Sequence, residues 1–111
     1  MLSKKYKLAK KEDFNLLYNK GSLLQSPHFK IFILPNNLGY SRFSVTASKK
    51  NFPKAINRNT LKRRIKHATA LLLPNFPIKA DLLIIAQKIT SNLSGNSLIK
   101  NLEILLKKYT L

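Results

Sequence analysis

Tyr40-Ser41-Arg42-Phe43-Ser44-Val45-Thr46-Ala47-Ser48-Lys49-Lys50-Asn51-Phe52-Pro53-Lys54-Ala55-Ile56-Asn57-Arg58-Asn59-Thr60-Leu61-Lys62-Arg63-Arg64-Ile65-Lys66 changes its hydrophobic period halfway along. From Tyr40 to Ala47, Phe43, Val45 and Ala47 alternate with Arg42, Ser44 and Thr46, the repeat of a half-buried strand. From Pro53 or Lys54 onward the repeat becomes helical. Leu61, Ile65, Ala68 and Leu72 form one apolar stripe, and the helix runs to Leu73, where Pro74 stops it. Arg58 and Lys62 flank that stripe on one side and Arg64 on the other, while Arg63 and Lys66 point further outward. The packed face is narrow and most of the remaining circumference is cationic.

Working outward, Lys11 to Asn19 reads as a first helix. Glu12 and Asp13 sit in its first turn, Lys20 lies near its end, and Gly21 suits the position beyond it. Phe14, Leu17 and Tyr18 share one face. Residues 1–10 form a basic arm with weak patterning and freedom to move. Ser22 to Leu24 predicts a short strand, interrupted at Ser26-Pro27, and Phe29 to Leu34 a better one, closed by Pro35-Asn36-Asn37 and Gly39. This strand and the Tyr40 to Ala47 strand, joined by a short polar loop, read as an antiparallel pair. Asp81 to Ala86 is a continuously apolar strand of the buried type, after which Gln87-Lys88 returns to solvent. Ser91 to Asn96 reads as a loop. Ser97 to Tyr109 predicts a last helix with Leu98, Leu102, Leu105 and Tyr109 on one face. The expectation is a single α+β domain over residues 1–111, in the order α-β-β-β-α-β-α, with helices packed on one sheet.

The chain carries 21 Lys and Arg against 4 Asp and Glu, a net charge of +17 on 111 residues. Between Phe14 and Lys79 there is no carboxylate at all. Such a surface calls for a polyanion, with nucleic acid ahead of an anionic membrane. At 44% hydrophobic residues the chain is too apolar for a disordered basic tail. With no cysteine, disulfides and thiolate metal sites are excluded. No apolar run approaches the roughly 20 residues of a spanning helix, and no secretory signal is visible, so a soluble cytoplasmic protein is expected.

The same count weighs against phosphodiester hydrolysis by the chain itself. Two-metal chemistry needs clustered carboxylates. Here Glu12 and Asp13 have a sufficient role at a helix N-terminus, Asp81 reads as the end of the loop before a buried strand, and Glu103 stands alone. His28 and His67 share no ligand-like spacing with other metal-binding residues, and the three glycines form no phosphate loop. No catalytic and no metal-ligating residue is assigned. The positive signal is the basic helix, because solvated helix faces ordinarily intersperse acids with their cations. Phe14 and Tyr18, with Phe29 or Phe32, read either as core or as a platform on which unpaired bases stack; alternation puts Phe29 and Phe32 on opposite sheet faces.

The run from Arg42 to Lys50, followed by Ala55-Ile56-Asn57-Arg58-Asn59-Thr60-Leu61-Lys62-Arg63, resembles the signature of the bacterial ribonuclease P protein component: a strand ending in Ser-Lys-Lys, then a helix bearing Arg-Asn-Arg and Lys-Arg. Leu8 with Asp13-Phe14, Tyr18 and Gly21 is similar to that family's opening helix, and Asp81 to Lys88 to its last strand. Thr60 replaces the second arginine of Arg-Asn-Arg, Gln87 replaces an arginine of the last strand, and Asn51-Phe52-Pro53 stands where a glycine-containing loop is usual. The resemblance implies a ribonucleoprotein endonuclease that removes the 5′ leader from precursor tRNA, its catalytic centre in the RNA subunit and that subunit's Mg²⁺, with no organic cofactor. It implies contact with the RNA subunit through Lys49, Lys50, Arg58, Asn59, Lys62, Arg63, Arg64 and Lys66. It implies a leader-binding cleft at Phe14, Tyr18, Phe32, Ser44, Ser48 and Lys88, and a left-handed β-α-β crossover. The catalytic RNA and precursor tRNA are the partners expected; no membrane and no protein partner are. A ribosomal-type structural RNA-binding protein shares the charge argument, and only the ordered motifs weigh against it.

Overall fold

A computed structural model describes residues 7, 8, 10–87 and 95–109. Helix α1 (Lys11–Lys20) leads into strands β1 (Ser22–Gln25), β2 (Phe29–Pro35) and β3 (Arg42–Thr46). Helix α2 (Ala55–Leu72) follows and tightens into a 3-10 turn over Leu73–Asn75, where Pro74 cannot continue it. Strand β4 (Ala80–Ala86) and helix α3 (Gly95–Tyr109) complete the chain. The expected element order holds.

Sheet order departs from the expectation. The four strands lie β1-β2-β4-β3, so β2 and β3 do not form a hairpin. β4 inserts between them, antiparallel to β2 and parallel to β3. The reason is burial: all of β4 but Ile85 is buried, and a strand that apolar is covered best in the sheet centre, with neighbours on both edges. The turn from Asn36 to Ser41 instead spans the end of β4 and is stitched to it. Asn36 donates its backbone N–H to the Lys79 carbonyl at 3.0 Å, and Ala80 N–H donates to Ser41 Oγ at 3.1 Å. Gly39 takes φ 81°, which a side chain would resist.

Each sheet face carries its own layer. Phe29, Ile31, Ile33, Phe43, Val45, Leu82, Ile84 and Ala86 face α2 and α3, meeting Leu61, Ile65 and Ala68 from α2 and Leu98, Leu102, Leu105 and Leu106 from α3. The expected α2 stripe is present, with two changes. Thr69 is also buried, its hydroxyl donating to the Ile65 carbonyl at 2.8 Å, and Leu72 is only half-buried. Helix α3 begins at Gly95, so Gly95 and Asn96, expected in a loop, lie in its first turn. Tyr109 packs at the edge of this core as expected.

Among the described residues the opposite face is covered chiefly by α1, over a smaller cluster of Leu8, Leu17 and Leu83. Of the basic arm, Lys7 bridges to the outer edge of β3, and Leu8 donates its N–H to the Phe43 carbonyl at 3.0 Å and buries its side chain under α1. Helix α1 stops against the sheet at Gly21, whose N–H caps the Leu17 carbonyl at 2.9 Å. A Cβ on Gly21 would stand 2.5 Å from that carbonyl oxygen and 3.2 Å from the one of Ile33, so close backbone approach explains the glycine.

Candidate nucleic-acid interface

Strand alternation and register place a set of side chains on the α1 face in cross-strand rows. Leu23, Phe32, Leu83 and Ser44 form one row; Gln25, Lys30, Ile85 and Thr46 the next. Helix α1 covers only part of this surface. Leu17 is buried, Phe14 half-buried against Leu83 and its neighbours, and Tyr18 stays 54% exposed. The Tyr18 ring stands edge-on to Phe32, with centroids 5.0 Å apart and planes at 75°. An α1 wall of Phe14 and Tyr18 thus flanks a floor of Phe32, Leu83 and Ser44, which continues into the half-buried Lys30, Ile85 and Thr46. Phe29 is fully buried on the other face, so of the two candidate strand aromatics only Phe32 is available here.

Five of the six expected cleft residues lie in described parts of the chain. Phe14, Tyr18 and Phe32 come together and Ser44 shares their face; Lys88 lies outside the described residues. Ser48 sits past the end of β3 in an exposed turn, where its Oγ accepts from Asn51 N–H at 3.2 Å and its carbonyl from Phe52 N–H at 2.9 Å. Lys30 was missed. Period-two alternation through Lys30, Phe32 and Leu34 was the signal that places this cation on the trough face.

One cation on this face is spent inside the protein. Arg42 donates from Nε to Asp81 Oδ1 at 2.9 Å and from Nη2 to Asp81 Oδ2 at 2.6 Å, a two-pronged pair. Its Nη1 reaches Asp13 Oδ2 at 3.4 Å, tying the start of α1 to β3. Asn36 Nδ2 adds a 2.8 Å bond to Asp81 Oδ1. Asp81 therefore lies within β4 and is buried, rather than ending the preceding loop as its sequence position suggested, and Asp13 does more than favour the α1 dipole. Hydrogen bonding to Asp81 holds the Arg42 guanidinium above the ordinary arginine range, against the opposing effect of burial.

The other layer presents the cationic surface. Helix α2 carries five cations (Arg58, Lys62, Arg63, Arg64 and Lys66) and no acid, and neither acid nor side-chain cap occupies its first turn. Asn59, Arg63 and Lys66 are exposed, as are Lys49 and Lys50 in the turn before it; Arg58, Lys62 and Arg64 are half-buried. Arg58 has a second task. Its Nη1 donates to the carbonyls of Phe52 at 3.0 Å and Pro53 at 3.2 Å, fastening the connection from β3 onto the helix. Phe52 is buried there as the plug of that connection.

Since α1 and α2 pack on opposite faces of the sheet, the aromatic trough and the cationic helix form two separate surfaces, linked at the edge by residues 47–54. Among the described residues no group of three His, Cys, Asp or Glu side chains comes together. These surfaces define the class of a small basic protein built to bind nucleic acid. The Ribonuclease P family model matches residues 2–110. The ribonuclease P protein component of Streptococcus thermophilus is 30% identical over 106 residues, 96% of this chain and 94% of that protein. That of Petrotoga mobilis is 34% identical over 93 residues, 83% and 78% of the two chains. Among solved structures, the RNase P protein of Staphylococcus aureus superposes with a TM-score of 0.82 at 25% identity, covering 94% of each chain. The one from Thermotoga maritima does so with 0.82 at 28% identity, covering 92% of this chain and 96% of that one. This chain belongs to the ribonuclease P protein component family.

Proposed function

We propose that this protein is the subunit of ribonuclease P that lets a catalytic RNA recognise and cleave precursor tRNA at the 5′ side. The observation that carries the reading is the separation of an acid-free cationic helix from an aromatic trough on opposite faces of one sheet. Two RNA segments can then be held at once. The RNA subunit binds along α2 and the turn before it, through Lys49, Lys50, Arg58, Asn59, Lys62, Arg63, Arg64 and Lys66. Cations there replace condensed counterions and reduce repulsion between catalytic and substrate RNA. The leader lies in the trough, with Phe14, Tyr18 and Phe32 supplying ring surface, Ser44 and Ser48 hydrogen bonds, and Lys88 charge. Stacking of one base on such a ring is worth about 1–3 kcal/mol, enough to separate precursor from product about fivefold or more.

Cleavage is assigned to the RNA subunit and its Mg²⁺. The described residues do not suit a protein-held Mg²⁺: hard cations take several carboxylate oxygens, and Asp13 and Asp81 are committed to Arg42. What the protein contributes is position and counter-charge. Family membership also supports the left-handed sense expected for the β3–α2–β4 crossover, against the usual rule for parallel units. A ribosomal-type structural role is not favoured, since the match runs the length of the chain to ribonuclease P proteins. Among the described residues no helix is long and apolar enough to cross a membrane, in keeping with work in the cytoplasm.

Reconstitution tests the reading. Mixed with a catalytic ribonuclease P RNA at low Mg²⁺, the protein should restore cleavage of precursor tRNA that the RNA alone performs poorly. Cleavage by the RNA-free polypeptide, or no gain over RNA alone, would refute it.

A further inference from the structure

Helices α2 and α3 border a half-open cavity of about 310 Å³ on the side of the sheet away from the aromatic trough, lined by Arg63, Arg64, His67, Gly95, Leu98 and Ile99. Its size falls at the lower end of the roughly 300–1,000 Å³ usual for small-molecule sites. Its two ends differ in chemistry. Arg63 and His67 are one helical turn apart on α2 and both exposed, so they stand at the mouth with donor groups turned to solvent. Leu98 is buried and Ile99 half-buried, so α3 supplies an apolar floor. Among the described residues no carboxylate lines the cavity. A bare anion would leave the floor unused, and an apolar molecule would leave the guanidinium and imidazole without a partner. A flat ring that lays its apolar face on the floor, keeps its polar edge toward solvent and carries a phosphate uses both ends.

We propose that this cavity is a nucleotide site, taking one unpaired 5′-phosphorylated nucleotide with its phosphate against Arg63 and His67 and its base against Leu98 and Ile99. Guanidinium and imidazole donors suit phosphate oxygens, and unpaired bases are the part of RNA that fits a pocket. The inference rests on the ribonuclease P reading only for the source of the nucleotide. The site itself is independent of it.

The test uses the full chain, titrated with uridine 5′-monophosphate and, separately, with inorganic phosphate, while NMR follows the Ile99 methyl and the His67 ring. The nucleotide should bind at least about tenfold more tightly than phosphate, since burying the face of a base against Leu98 and Ile99 adds apolar contact. Gly95→Leu is the blocking variant. A Cβ there meets nothing within 4 Å, so the backbone accepts the side chain and a better helix former replaces glycine, while the cavity fills. It should lose nucleotide binding by about tenfold or more with an unchanged or higher melting temperature. If Gly95→Leu does not fold, His67→Ala, at an exposed position, serves instead and should weaken binding about fivefold. Equal affinity for phosphate and nucleotide, or unaltered binding in the variant that folds, overturns the site. The affinity of the same variant for the catalytic RNA distinguishes the sources: a parallel loss assigns the nucleotide to that RNA, and unchanged RNA affinity beside lost nucleotide binding assigns it to a free nucleotide. A protein that binds the nucleotide in the cavity yet never activates the RNA leaves this site standing and refutes the ribonuclease reading.

Discussion

Replacing Arg42 by methionine keeps most of its length and removes the charge that two of the four acids face. Asp81 then loses contacts of 2.9 and 2.6 Å and keeps only the 2.8 Å bond from Asn36, while its side chain remains 9% exposed. Breaking a buried ion pair from one side costs about 3–5 kcal/mol, because the remaining charge stays desolvated. Arg42 itself is 20% exposed, so the lower figure of about 3 kcal/mol applies. The 3.4 Å contact to Asp13, a carboxylate 22% exposed, adds no more than about 0.5 kcal/mol. At about 4 °C per kcal/mol for a domain this size, the melting temperature should fall by about 12 °C. Thermal unfolding followed by circular dichroism at neutral pH measures it. Because the folded Arg42 pKa is raised, its contribution is complete below the ordinary arginine range and lost only above it. No part of the deficit should therefore be regained as the pH rises from neutral to about 9, where arginine does not titrate. Adding Asp81→Asn to the variant should recover about 2 kcal/mol, since no buried charge is then left unpaired. A drop below about 4 °C, or no recovery in the double variant, would refute the claim that this pair fastens β3 to β4.

Four further outcomes follow from named contacts. Phe14→Ala should raise the dissociation constant for leader-bearing tRNA in the reconstituted enzyme about fivefold or more, leaving mature tRNA unaffected; equal losses for both would remove the trough from leader binding. Removing the exposed Arg63 and Lys66 together should weaken RNA-subunit binding and reduce the slope of log affinity against log salt by about 1.8, read from a salt titration. Arg58→Ala should add to that loss beyond its charge, since it also releases the Phe52 and Pro53 carbonyls; more mobile amides at residues 51–54 in NMR relaxation would show it. Gly21→Ala should destabilise the fold by about 2 kcal/mol in urea unfolding, because the new methyl meets two backbone carbonyls that cannot both yield.

Helix and strand positions were legible because periodicity is local: the stripe of α2, the alternation of β3 and the apolar run of β4 each report which side meets a core. The pairing of β2 with β3 was misread for the same reason. A short polar loop between two strands signals a hairpin, and nothing between Phe29 and Ala47 reports that a strand more than thirty residues later displaces it. Asp81 shows the same limit at the level of one side chain. Its role depends on Arg42 and Asn36, which β-sheet register brings beside it from 39 and 45 residues away.

By itself the amino-acid order determined that this protein is a cationic α+β domain with one acid-free helix, since charge and hydrophobic period are properties of neighbouring residues. Only the tertiary structure decided that the helix and the aromatic trough lie on opposite faces of the sheet, that Arg58 also serves the fold, and that α2 and α3 border a half-open cavity. Those facts arise where segments distant in sequence compete to bury the same apolar surface, and that competition is settled by packing.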